Sequence, residues 1–253
     1  MSKEFRVRNE AIRLDADKAS PTHGADEIRG IGGKKWSYAS ECYSAEDLIL
    51  LSGSDAEALD PAVTNVTGGV VRLVTGNADG TVAADGSAFN IGAVQLDATV
   101  GVTVMEAKIR IATAITTVSV FVGLTDSPSL EEPFTNATDT ISLVAADAVG
   151  FHFDSAATTK EWWMAAVDTG TADTGNAALG VAPVADTWQV LRLEVGPLGN
   201  DARFYIDGAY VGQLIAAGVG PDVVLYPTIL ANSTTTTSKT VDVDWFRISG
   251  ERA

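Results

Sequence analysis

Apolar and polar residues alternate along most of this chain with a period of two. The clearest run is residues 102–112, where Met105, Ala107, Ile109 and Ile111 fall on one side and Glu106, Lys108 and Arg110 on the other. Successive side chains of a strand point to opposite faces, so this run predicts a half-buried strand with one wet face. Residues 70–74, 141–144, 148–153, 162–167, 189–195, 225–230 and 241–248 read as further strands. Val118, Val120 and Val122 form another buried face, and Leu191, Leu193 and Val195 another. Phe204 and Ile206 share a face just before Asp207-Gly208, and Asp-Gly between two alternating runs is a strong hairpin signal. Only residues 44–51, SAEDLILL, fit a short helix as well as a buried strand.

Strands separated by Gly, Asp and Asn turns, with no long helical periodicity, predict an all-β fold. Its expected form is a two-sheet antiparallel sandwich of the jelly-roll kind. Residues 1–40 differ from the rest. Phe5-Arg6-Val7-Arg8 alternates, and the stretch that follows is polar and carries Gly24, Gly30, Gly32 and Gly33. We expect an extended docking arm over residues 1–40, or an edge strand lying on its own domain, and a sandwich over residues 41–253.

Charge sharpens this division. Of the 253 residues, those up to 40 hold eight Lys or Arg and six acids; the rest hold nine basic and twenty-seven acidic residues. An acidic body repels phosphate backbones, so nucleic acid is not an expected partner. The arm, with the opposite balance, suits a tether to an acidic partner. Cys42 is the single cysteine and there are two histidines, which leaves neither an internal disulfide nor a Cys-His zinc cluster. The first residues lack the apolar segment of a signal peptide, and no apolar run is long enough for a membrane span. Synthesis and folding in the cytoplasm, with no membrane partner, are expected.

Six segments in order, VTVMEAKIRIAT, VSVFVGLTD, VGFHFDS, TWQVLRLEV, RFYIDGAYVGQL and VDVDWFRISG, resemble the concanavalin A-like lectin/glucanase superfamily over about residues 64–252. The resemblance implies two stacked, curved antiparallel sheets. At the front, MSKEFRVRNEAI resembles the opening "F-x-V-x-N" segment of bacteriophage virion proteins, both tail fibres and head-decoration proteins. That second resemblance implies a virion setting.

The glucanases of the superfamily carry Glu-x-Asp-x-x-Glu on one strand, which sets two carboxylates on one face for acid and nucleophile. This chain has no such motif. Glu131-Glu132 beside Pro133 reads as a loop, while Asp242 and Asp244 share a face of the last predicted strand. For a carbohydrate ligand the candidates are Trp162 and Trp163, since sugars stack on exposed aromatic faces. Neighbouring strand residues point to opposite sides, so at most one of the two is expected in the core. Trp188, Trp245 and Phe246 are expected to pack in or against it. No cofactor is expected beyond a structural calcium ion. Its candidates are the turn Asn77-Ala78-Asp79-Gly80 and, by the resemblance, the last strand at Asp244. His23 and His152 read as structural residues.

These observations point to a non-enzymatic virion structural protein, of capsid-decoration, cement or fibre type. Phe5, Arg6, Val7 and Arg8 would dock it on major capsid or tail proteins, or on copies of itself. A homo-oligomer, most simply a trimer, is expected. The competing reading is a carbohydrate-binding module for host surface glycans; a glycoside hydrolase stands behind it.

Overall fold

Cross-strand pairing gathers the alternating runs into two large sheets. The computed structural model describes residues 35–40, 48–55, 69–96, 101–215, 219 and 223–251. Phe5, Arg6, Val7, Arg8, His23 and Cys42 lie outside them.

In chain order the strands are β1 (Lys35–Ser40), β2 (Ile49–Ser52), β3 (Val71–Val74), β4 (Ser87–Asn90), β5 (Val94–Leu96) and β6 (Thr103–Ile111). Next come β7 (Val118–Thr125), β8 (Phe134–Ala137), β9 (Thr140–Leu143), β10 (Ala148–Asp154), β11 (Trp163–Asp168), β12 (Thr171–Ala172) and β13 (Ala177–Ala178). The last five are β14 (Gln189–Val195), β15 (Asp201–Ile206), β16 (Ala209–Ile215), β17 (Val223–Ser233) and β18 (Thr240–Glu251). One short helix, α1 (Val82–Asp85), precedes β4. The first sheet, A, has the order β1-β18-β6-β14-β15-β16, with β3 also paired to β18. The second, B, has the order β12-β11-β10-β7-β17-β4-β2, with β13 on β11 and β5 on β17. Strands β8 and β9 form a separate hairpin.

The core lies between the sheets. Sheet A contributes Met105, Ala107, Ile109 and Ile111 from β6 and Leu191, Leu193 and Val195 from β14. Sheet B answers with Val118, Val120, Val122 and Leu124 from β7 and Phe151 and Phe153 from β10. Phe151 crosses Phe204 edge to face, with ring centroids 5.1 Å apart. Each such side chain, taken fully out of water, contributes about 1.5–3 kcal/mol, which is why the period-two pattern fixes the register so firmly.

Two turns and a bulge set the details. Asp207 and Gly208 both have positive φ, 51° and 80°, and join β15 to β16 as the Asp-Gly signal predicts. The β8–β9 hairpin uses the same two-residue geometry, but with Thr138 at 55° and Asp139 at 63°. A β-branched residue there is strained. The Asp139 carboxylate offsets this by accepting from Thr159 N at 2.7 Å and Thr159 Oγ1 at 2.9 Å. In β18 the pairing with β6 shifts between Val243 and Trp245, so Asp244 occupies a bulge.

Two expectations change. Ile49–Ser52 is neither a helix nor a buried strand: it is an edge strand of sheet B, with Ile49 and Leu50 exposed. Lys35–Ser40 pairs with β18 along its whole length, so sheet A takes in the last six residues assigned to the arm. The sandwich begins no later than Lys35.

Candidate functional site

Sheet B has a second face, and the chain covers it with itself. On β7 the residues opposite the core are Ser119, Phe121, Gly123 and Thr125, yet the whole strand is buried, as is all of β10. Residues 126–147 run across this face and carry the β8–β9 hairpin. Phe134, packed with Leu130, Ile141 and Leu143, closes on Phe121, Ala165, Val167 and Leu230. The close fit depends on two glycines in register, Gly123 and Gly150. A Cβ at Gly150 would lie 2.7 Å from the Phe121 ring and 2.6 Å from the Val122 carbonyl.

Beneath the hairpin lies a polar row. Asp154 on β10 and Asn232 on β17 both pair with Ser119 on β7, so three polar side chains sit abreast on the covered face. Asn136 comes down from β8, whose inward positions are Phe134 and Asn136. Its backbone N–H donates to Asp154 Oδ2 at 3.1 Å. Glu132 enters from the segment leading into the hairpin, and Asn232 Nδ2 donates to its Oε2 at 3.4 Å. Burial raises the Glu132 carboxyl to about 7; the nearby Asp154 charge adds to this, while Ser119 and Asn232 favour the ionised form. Burial likewise raises Asp154, against two backbone N–H groups that stabilise its charge. One pair along the sheet, His152 has both ring nitrogens unpartnered and meets Phe134 edge to face at 6.2 Å. Burial holds its imidazole down to about 3, so it is neutral at pH 7.

The outer face of sheet A is different. It is a field of paired charges. Asp242 takes Arg72 Nε at 2.7 Å and Arg110 Nη2 at 2.8 Å, and Arg110 also reaches Asp186 at 2.8 Å. Glu106 pairs with Arg247, and Glu194 with Arg192 at 2.6 Å. Arg110 lies over the Trp188 ring, 4.7 Å from its centroid, and Arg247 lies over Trp245. Six of the nine basic residues beyond residue 40 belong to this face: Arg72, Lys108, Arg110, Arg192, Arg203 and Arg247.

Trp162 is fully buried against Phe151 and Phe153, and its Nε1 donates to Gln189 Oε1 at 3.0 Å. Trp163 is only 7% exposed and donates to the Thr159 carbonyl. Both indoles are interior because both faces of sheet B are covered; neither presents an open stacking surface. Asp242 is closed between two guanidinium groups. Asp244 lies 2.6 Å from the Lys108 ammonium. A cation already stands against that carboxylate, so the site does not fit the structural ion that the resemblance implies. In the turn at residues 77–80 the amides of Ala78, Asp79 and Gly80 donate to the Asp85 carboxylate. That turn thus serves an anionic side chain. Sequence reasoning missed the row under the hairpin. The signal was present in VGFHFDS, where His152 and Asp154 share the face opposite Phe151 and Phe153.

No family model matches the chain, and no curated protein matches it. Solved structures do. Peanut lectin superposes with a TM-score of 0.57 at 8% identity, covering 87% of this chain and 99% of the lectin. A β-1,3-1,4-glucanase (lichenase) derived from a mouse hindgut metagenome gives 0.55 at 10% identity, covering 86% and 99%. Bacillus licheniformis β-glucanase gives 0.50 at 14% identity, covering 86% and 98%. At these identities the likeness establishes the fold: a concanavalin A-like jelly roll.

Proposed function

We propose that this chain is a non-enzymatic structural and display protein of a bacteriophage virion, docked by its first residues and presenting the sandwich. The observation that carries the reading is that one broad face of the sandwich is closed by the chain itself and the other is laid over with ion pairs. Residues 126–147 cover sheet B, and paired charges cover sheet A. A protein so built acts through shape, edges and attachment, with binding strength gained from many copies. The acidic body repels its own kind over most of its surface. The charge-balanced face of sheet A is where copies meet without that repulsion, which supports a homo-oligomer. Phe5, Arg6, Val7 and Arg8 dock the chain on capsid or tail proteins. Co-sedimentation with particles tests this: a chain lacking residues 1–34 fails to bind while the full chain binds. Undiminished binding by the shortened chain refutes the role of the arm.

The second reading is a carbohydrate-binding module, favoured by the likeness to a lectin and to glucanases. Such a site would lie on loops or edges, since Trp162 and Trp163 are interior. Specific saccharide capture on a glycan array by the full chain would favour it over the first reading.

A further inference from the structure

The polar row under the hairpin has oxygens left over. Glu132 Oε1, Asn136 Oδ1, Asn232 Oδ1 and Ser119 Oγ are buried and make no well-formed hydrogen bond within the protein, although Ser119 stands close enough to Glu132 to favour its charge. Folded proteins seldom leave buried polar atoms in this state, and a bound ion or water is one of the usual reasons. The four belong to three separate stretches of chain, and strand pairing and hydrogen bonds bring these together around Asp154. Asn232 touches Glu132. Asn232 and Asp154 flank Ser119 in the sheet. Asp154 holds the backbone of Asn136, and Asn136 lies four residues beyond Glu132 on the same covering segment.

Glu132 and Asp154 are 7% and 6% exposed, and no Lys or Arg among the described residues acts on either of them. The chain does not lack such groups; it has placed them on the other sheet. Two buried carboxylates without a counter-charge, ringed by unused amide and hydroxyl oxygens, are the complement of a small doubly charged ion.

We infer that Glu132, Asp154, Asn136, Asn232 and Ser119 bind one divalent hard cation, calcium in kind, between the hairpin and sheet B. Carboxylate, amide-carbonyl and hydroxyl oxygens are calcium ligands, and calcium tolerates an irregular set drawn from several elements. Magnesium demands a tighter octahedron and keeps its waters, which a closed interior cannot supply. Zinc prefers sulfur and imidazole, and none of these five side chains supplies either. The bound ion ties residues 126–147 to β7, β10 and β17, so the covering of sheet B depends on it. Three acidic or imidazole side chains do not converge anywhere among the described residues; here two carboxylates suffice because the remaining ligands are neutral oxygens.

Equilibrium dialysis of the full chain against radioactive calcium, together with thermal melting in calcium and in EDTA, tests the site. The expected result is one calcium per chain, a higher melting temperature in calcium than in EDTA, and weak competition by magnesium. Glu132→Gln, nearly isosteric, weakens binding by at least about 10- to 100-fold. Asn136→Ala weakens it as well, and carries the test if Glu132→Gln does not fold. Asp244→Asn leaves binding unchanged. No bound calcium with equal melting in calcium and EDTA marks a merely hydrated interior and overturns the inference. So does binding that survives both Glu132→Gln and Asn136→Ala, or that is lost in Asp244→Asn.

Discussion

Removing Asp242 separates a structural carboxylate from a catalytic one. Its side chain is fully buried and receives Arg72 Nε at 2.7 Å, Arg72 Nη2 at 3.0 Å and Arg110 Nε at 2.9 Å. Truncating one member of a buried ion pair costs about 3–5 kcal/mol, because the partner is left without its counter-charge. Here the two arginines are 29% and 24% exposed and recover part of their hydration. Arg110 also keeps Asp186. The lower end applies, and Asp242→Ala should cost about 3 kcal/mol. Asp186 is 70% exposed, so Asp186→Ala, which cuts the same arginine, should cost less than about 1 kcal/mol. Urea unfolding at pH 7 measures both. A loss below about 1 kcal/mol for Asp242→Ala, or one no larger than for Asp186→Ala, refutes the reasoning. Unchanged stability with loss of turnover on a β-glucan would instead mark Asp242 as a hydrolytic carboxylate.

Other consequences follow from the covered face. Gly150→Ala forces its new methyl into the Phe121 ring and the Val122 carbonyl, and should cost about 1–3 kcal/mol in thermal unfolding. Thr138→Asn relieves a β-branched residue held at positive φ, and should raise stability by about 1 kcal/mol in the same assay. The pH dependence has two opposed parts. His152, depressed from 6.5 to about 3, contributes stability that is complete above pH 6.5 and is lost as pH falls toward 3. Glu132, raised from 4.5 to about 7, contributes stability that is complete below pH 4.5 and is lost as pH rises to 7, by about 3 kcal/mol. In EDTA, urea unfolding of His152→Gln should therefore weaken from pH 5 to 7, while Glu132→Gln should strengthen over the same range.

The sandwich was legible because its strands obey one rule. In β6 and β14 apolar residues alternate with charges, so face and register follow from the letters alone. Asp207-Gly208 marked its hairpin because only certain residues accept two positive φ values in sequence. The β8–β9 turn escaped notice since Thr138-Asp139 is a poor composition for that geometry, and Asp139 supports it through Thr159, twenty residues away. Ser87–Asn90 and Ile49–Ser52 are too short to show a period. The bulge at Asp244 broke a pattern that suggested two carboxylates on one face. The polar row was hidden for another reason. Alternation tells which residues share a face, but it does not tell that a face meant for water is covered by a later loop. Glu132 looks like a loop acid and Asp154 like a strand end until residues 126–147 are folded over them.

The second face of sheet B is closed by the protein's own chain. With Cys42 replaced by Ser, thiol labelling of Ser119→Cys against Ser129→Cys tests it: the first position is wholly buried under the covering segment and the second is exposed. Labelling at position 119 should be at least ~100-fold slower, limited by local opening of residues 126–147. Labelling of both positions at similar rates would show an open groove on that face and would contradict it.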